Sequence, residues 1–239
     1  MAFYGVKLPF RPTENEQKEY LQDPSMEDNV VKEILGRARA GDMAIFSLSP
    51  GKFTQIIDPD TGDSLLHVAV RLASLEAVNT IMACFRRGKR VFSVWSRHAL
   101  LVHQNHDGDT ALHIAARSGN QLLLTMLFRY LCSHWSAECP EEVEMDDGPP
   151  EKDIYPEDID ESASAPALLV ILTKNRAGRD AAAEARQAGH DDLAQWLEDV
   201  MQRYDPDKTR RTDEGVAELI ALVKAEHGHD AIEQRRQLM

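Results

Sequence analysis

The stretch GDTALHIAARSGN, Gly108–Asn120, recurs twice in altered form, and this recurrence constrains the fold more than any other property of the chain. TGDSLLHVAVRLAS precedes it at 61–74, and AGRDAAAEARQAGH follows at 177–190. When Gly62, Gly108 and Gly178 are aligned, a helix-capping residue follows two positions on, as Ser64, Thr110 and Asp180. A side-chain oxygen there accepts from an orphan N–H of the first helical turn. The glycine ahead of it suits a tight turn at positive φ. Next come Leu66-His67, Leu112-His113 and Ala182-Ala183, then the small residues Ala69, Ala115 and Ala185, which let a neighbouring helix approach closely. Gly119 and Gly189 then predict a left-handed helix end. In the first copy that place is held by Ala73, whose Cβ resists such a turn. A second pattern of helical period follows each copy: Leu75, Val78, Ile81 and Met82; Leu122, Leu123, Met126 and Leu127; Leu193, Trp196, Leu197 and Val200.

The unit is therefore turn, short helix, turn, longer helix, and GDTALHIAARSGN closely resembles the ankyrin-repeat signature, a family with a period of ~33 residues. Leu65, Ala111 and Ala181 stand where that family usually has proline. A partial copy, EILGRARAGDMAIFSL at 33–48, resembles an opening repeat, its Gly41-Asp42 matching Gly119-Asn120. Positions 41, 73, 119 and 189 lie 32, 46 and 70 residues apart, so the period is kept with two insertions. ALLVHQNHDGDTA at 99–111 is echoed by ALLVILTKNRAGRDA at 167–181, where Asn105 and Asn175 open matching turns. In the last copy Ala182, Ala183 and Glu184 replace the Leu-His-apolar core, which predicts a terminal unit with one face toward water. One helix pair cannot bury its apolar face, whereas a stack of pairs does.

The expected fold is an all-α ankyrin-repeat solenoid of about four helix-turn-helix repeats, with two insertions and a C-terminal helix. The chain divides into an extended N-terminal tail over 1–27, repeats over 28–132, an acidic insertion over 133–166, a terminal repeat over 167–204, and a linker with helix over 205–239. In the tail Phe3, Tyr4, Val6, Leu8 and Phe10 nearly alternate; this reads as a frayed end or as a strand able to dock. DPDKTRRTDE, 205–214, predicts a helix start at Thr212 or Asp213, with Val216, Leu219, Ile220 and Val223 as an apolar stripe capping the last repeat.

The insertions differ in charge. CFRRGKRVFSVWSRH, 84–98, sets the basic cluster Arg86, Arg87, Lys89 and Arg90 among aromatics. A solvated extension of the outer helix is the simpler reading, and an import signal, phosphate site or partner-contacting finger is the functional one. The second stretch, Cys139–Pro166, holds eleven carboxylates against Lys152 alone, a net charge of −10 out of −13 for the whole chain. Its prolines and serines deny it a core. It reads as a spacer, as a polyanion mimic that covers a basic partner, or as a cover for the chain's own basic cluster.

The charge argues against nucleic-acid or anionic-membrane binding, and no run approaches the ~18 apolar residues of a membrane span. Three cysteines, Cys84, Cys132 and Cys139, lack a CxxC pair and read as reduced thiols in a cytoplasmic or nuclear protein. No P-loop, Rossmann fingerprint or nucleophile elbow is present. His227 and His229 diverge on a helix, and His67 and His113 recur with the repeat, which points to structure. The expectation is a monomeric, non-enzymatic protein without catalytic residues, cofactor or metal.

What the resemblance implies is binding of another protein, with a basic surface, through hairpin tips and the inner-helix face. The matching tip positions are Asp60, Thr61, Asp63, His106, Asp107, Asp109, Arg176 and Arg179. Those on the inner helices are Arg71, Leu72, Arg117, Ser118 and Gln187. The acidic insertion favours an escort of basic clients, similar to small ankyrin proteins that shield ribosomal ones. The alternatives are a regulator that sequesters a transcription factor, since GDSLLHVAV before a spacer and GDTALHIAA resembles the inhibitor-of-NF-kappa-B family, and a general adaptor.

Overall fold

The computed structural model describes residues 26–48, 53, 55–87, 100–131 and 168–227. The tail before Met26, Lys89 and Arg90 of the basic cluster, and the acidic insertion lie outside these residues.

The capping residues form helices where the sequence places them. Ser64 starts α2 (Leu65–Arg71), Thr110 starts α4 (Ala111–Ser118), and Asp180 starts α6 (Ala181–Gln187) by accepting from the Ala183 N–H at 2.8 Å. With α1 (Asp28–Arg39) they pack in series as an inner layer. Each inner helix turns back through a residue at positive φ: Gly41 at 83°, Ala73 at 52°, Gly119 at 72° and Gly189 at 84°. Ala73 thus adopts the left-handed turn without glycine, because the flanking helices fix both ends of the connection. The outer layer follows: a short 3-10 helix (Met43–Ser47), α3 (Leu75–Arg87), α5 (Gln121–Leu131) and α7 (Asp191–Tyr204). In the first unit the long outer helix is absent from the described residues.

The core runs between the layers. Val78, Ile81 and Met82 of α3, Leu123 and Leu127 of α5, and Leu193, Leu197 and Val200 of α7 are buried in one cluster with Leu66, Val68, Leu112 and Ile114. Each such side chain contributes about 1.5–3 kcal/mol on burial. Leu100–Val102 and the helical residues 168–172 bring the chain back from the two insertions and are buried in the same cluster.

After Tyr204 the buried Asp205 organises the linker, its Oδ1 accepting from Thr209 Oγ1 at 3.2 Å and the Arg210 N–H at 3.0 Å. Thr212 then caps α8 (Asp213–His227), accepting from the Gly215 N–H at 3.1 Å. Leu219 is buried in the core cluster, with Val216 packed against it.

Two turn glycines separate the backbone requirement from the packing requirement. Both are left-handed, Gly108 at φ 77° and Gly178 at φ 74°. A Cβ on Gly178 meets nothing, whereas one on Gly108 falls 2.8 Å from the Arg176 N and 3.0 Å from the Asn175 Cα of the next unit. Gly178→Ala is expected to cost about 1 kcal/mol, the left-handed strain alone. Gly108→Ala is expected to cost at least about 2 kcal/mol, because backbone must also move. Ala73→Gly should stabilise by about 0.5 kcal/mol, relief of strain outweighing the entropy of glycine. Urea unfolding of the three variants checks this order, and equal costs at Gly108 and Gly178 would contradict it.

Candidate functional site

What the stack presents to a partner depends on how each turn is tied to its neighbours, and the recurring histidine makes the first tie. His67 Nδ1 accepts from the Ser64 N–H at 3.3 Å and faces Ser64 Oγ at 2.7 Å, while Nε2 lies 3.0 Å from the Asp109 carbonyl of the next unit. A backbone N–H only donates and a carbonyl only accepts, so Nε2 carries the proton and the ring is neutral. Complete burial agrees, pushing this imidazole below its ordinary value against the pull of Asp63. His113 repeats the arrangement with Thr110 on one side and the Arg179 carbonyl, 3.3 Å away, on the other. Burial lowers its pKa too, against Asp109. These histidines join units and present no group to a substrate.

An asparagine makes the second tie. Asn105 Oδ1 accepts from the N–H groups of Asp107 and Asp109, both at 3.0 Å, which closes its own turn. Its amide Nδ2 donates back to Asp63 Oδ1 at 2.9 Å. Asn175 does the same one unit later, with Ala177 and Arg179 as donors to its oxygen and Asp109 Oδ1 as acceptor at 2.9 Å. The matching Asn-x-x-Gly turns in the sequence are the signal for this contact. The tips are also joined by backbone: the His106 N–H donates to the Thr61 carbonyl and the Arg176 N–H to the Asp107 carbonyl, each at 2.9 Å.

A row of arginines makes the third. Arg39, Arg71 and Arg117 stand two residues before the inter-helix turn in successive units, each half-exposed and held by a buried carboxylate: Asp58 at 2.6 Å, Asp63 at 3.1 Å and Asp109 at 2.7 Å. Burial pushes the Asp63 carboxyl up, but bonds from Asn105 and Arg71 hold it below the usual range. In the last unit the scheme is reversed. Arg179 replaces the buried aspartate, Gln187 replaces the arginine, and Glu184 takes the position of Val68 and Ile114. Glu184 is 1% exposed, which corrects the expectation of a water-facing residue there. It receives Arg117 Nε at 2.8 Å, Arg179 Nε at 2.7 Å and Asn175 Nδ2 at 2.6 Å. Burial raises its pKa, but these donors outweigh it and bring the carboxyl to about 2.

The sequence-chosen positions therefore divide. Asp63 and Asp109 are buried and committed to the ladder; they are framework, which corrects their choice as contact residues. Arg71, Arg117 and Arg179 serve the same ladder while keeping part of their surface in solvent. Asp60, Thr61, Asp107, Arg176, Leu72, Ser118 and Gln187 are exposed, and His106 is half-buried with Nδ1 3.0 Å from the Asp60 carbonyl. Asp60 also pairs with Lys32 at 2.7 Å. The exposed tip side chains thus run from acidic at Asp60 and Asp107 to basic at Arg176. Arg86 and Arg87 fall on the last turn of α3. Among the described residues no three His, Cys, Asp or Glu side chains converge to hold a metal, and no helix is long and apolar enough to cross a membrane.

The family profile of the ankyrin repeat matches residues 107–139, the central copy. No curated protein sequence matches the chain. Among solved structures, a chain from the crystal structure of the yeast ribosomal protein Rps3 in complex with its chaperone Yar1 aligns over 73% of this chain and 95% of that one, at 20% identity and a TM-score of 0.48. That likeness is too loose to carry a partner across. The ankyrin repeat is a protein-interaction fold, and its tips and inner helices make an extended binding surface.

Two titrations follow from the ties. His67 and His113 have folded pKa values below the unfolded ~6.5, so their contribution is complete above pH 6.5 and declines as acid protonates the unfolded chain first. The thermal midpoint should fall from pH 7 to 5.5, and His113→Gln should flatten that fall; a midpoint independent of pH in this window would contradict the neutral bridges. Glu184, depressed from 4.5 to about 2, contributes fully above pH 4.5 and loses its effect as pH falls through 2. Glu184→Gln should cost about 2–3 kcal/mol at pH 7 and progressively less below pH 4, read by urea unfolding at both ends.

Proposed function

We propose that this ankyrin-repeat protein captures a partner protein with a basic surface, as an escort that shields it. The row of exposed tip side chains carries the reading. Asp60, Thr61 and Asp107 are fixed relative to one another by the backbone bonds between turns, so little ordering entropy is lost when they are engaged. The acidic segment supplies the second element. Its net charge of −10 attracts a basic client over about 8–10 Å near physiological salt and accelerates encounter. Rigid tips then select among the clients so attracted, and the basic end at Arg176 sets their orientation. A basic partner faces carboxylates at the first two tips and is turned away at the third.

The test replaces Glu141 to Glu161 with a short Gly/Ser linker and, separately, changes Asp107→Lys. The linker form is expected to keep its helical signal and thermal midpoint, because long surface insertions cost little closure entropy. Its association with a lysine-rich protein such as a histone, measured across a salt series, should slow at least tenfold at low salt and lose most of its salt dependence. Asp107→Lys should weaken the complex at every salt concentration. Equal affinity and salt slope in all three forms would reject the basic-partner reading.

A further inference from the structure

Four arginines stand along the inner layer and its turns, and every ion pair they make there is one-sided. Arg39, Arg71 and Arg117 pair with Asp58, Asp63 and Asp109, while Arg117 and Arg179 share Glu184. The arginine side chains are 39–46% exposed, whereas the carboxylates behind them are 1–7% exposed. Charge cancels within the set, yet a group arriving from solvent meets guanidinium first. At contact distance this edge is positive, although the whole chain carries −13.

Donors are also left over. A guanidinium has five N–H groups in a fixed planar fork. Arg71 uses Nε and Nη2 on Asp63, Arg117 uses Nε on Glu184 and Nη2 on Asp109, and Arg179 uses Nε on Glu184. Nη1 of Arg71 and of Arg117, and both Nη atoms of Arg179, take no partner among the described residues. The buried carboxylates hold these groups in place, so a ligand that engages them costs little side-chain entropy. Leu72 adds an apolar element. It follows Arg71 at the end of α2 and, at 40%, is one of two large apolar side chains left exposed among the described residues. The matching positions Ala40, Ser118 and Ala188 are small and leave it uncovered.

We propose that this arginine edge is a second docking surface, which takes an acidic segment of a partner protein. Carboxylates of that segment accept from the unused N–H groups of Arg71, Arg117 and Arg179, and an apolar side chain packs on Leu72. Charge decides the class of partner. A lysine-rich segment would meet guanidinium groups in front of every carboxylate of the row, so the edge repels what the tips attract. A nucleic acid carries a phosphate on every residue, and the net charge of the chain opposes its approach. A short acidic segment brings few charges and gains forked bonds and apolar burial on contact. The edge lies apart from the tip residues Asp60, Thr61 and Asp107, and the inference does not rest on the basic-partner reading.

The test is fluorescence anisotropy of a short labelled peptide, rich in glutamate around one central leucine, titrated with the full chain. The glutamate peptide is expected to bind at least about tenfold more tightly than the same peptide with glutamine, and more tightly than an oligothymidylate of equal length. Leu72→Glu alters an exposed residue and keeps every ion pair; it should weaken the glutamate peptide about tenfold without weakening histone capture. Asp63→Asn combined with Arg71→Gln removes one pair whole, so that no buried charge is stranded, and should weaken the peptide by a similar factor. Absence of binding, equal binding of the glutamate and glutamine peptides, or binding unaltered in both variants would overturn the inference. So would tighter binding of the oligothymidylate, which would make the edge a nucleic-acid site. Binding only by the form with Glu141 to Glu161 replaced would also overturn it, with the chain's own acidic segment as occupant. Histone capture is read on the same samples, so failure of this surface is distinguishable from failure of the tips.

Discussion

The structure depends on a neutral imidazole buried between a helix N-terminus and the turn of the next unit. His67 accepts from the peptide that begins its own helix and donates to a peptide of the following turn. One side chain thereby satisfies a donor at its own helix start and adds a bond from the next unit's carbonyl, which also accepts from the Asn105 N–H, and it ties the two units as it does so. The choice of residue follows from the chemistry. Lysine would bring a charge that cannot be solvated there, and leucine would leave the Ser64 N–H without its acceptor and the units without this tie. With the imidazole in place, Gly62 and Gly108 can bring their turns within van der Waals reach of the next, and the tips stack through the Thr61 and Asp107 carbonyls.

The remaining polar groups extend this logic along the inner edge. Asp63 and Asp109 each have two calls on them, from the arginine at the end of the helix that follows and from the asparagine of the next turn. The negative charge that caps a turn is thus spent inside the molecule, and the acidity left at the exposed tips comes from Asp107 and from Asp60, which also pairs with Lys32. In the last unit the same ladder ends by exchanging its charges. Arg179 and Glu184 stand where an aspartate and an aliphatic residue stood, and Gln187 closes the arginine row because no further aspartate follows.

For binding, this arrangement separates rigidity from charge. Backbone bonds hold the tip residues, so their positions do not depend on the long side chains that face solvent. The largest concentration of charge lies instead in the sequence between the third unit and the last, over Cys139–Pro166. On the proposed function, long-range attraction and short-range selection fall to different parts of the chain.

The sequence by itself determined the local rules. Turn glycines, capping residues and apolar periods depend on the nearest few residues, and so the helix starts at Leu65, Ala111 and Ala181 were legible, as were the left-handed turns at Gly119 and Gly189 and the helix beginning after Thr212. The recurrence of His67 and His113 made their structural role legible as well. Tertiary structure alone decided the rest. Ala73 takes a conformation its side chain disfavours because helices on both sides hold it there. Asp63 and Asp109 look like tip residues in the sequence, yet their partners lie in other units, Asn105 and Asn175 among them. Glu184 looks like the wet face of a terminal repeat, and the approach of Arg117 from the preceding unit, with Arg179 and Asn175, makes its burial tolerable. For Asp63, Asp109 and Glu184 a deciding group is tens of residues away in the chain, and a charge is placed by what compensates it rather than by its own preference for water.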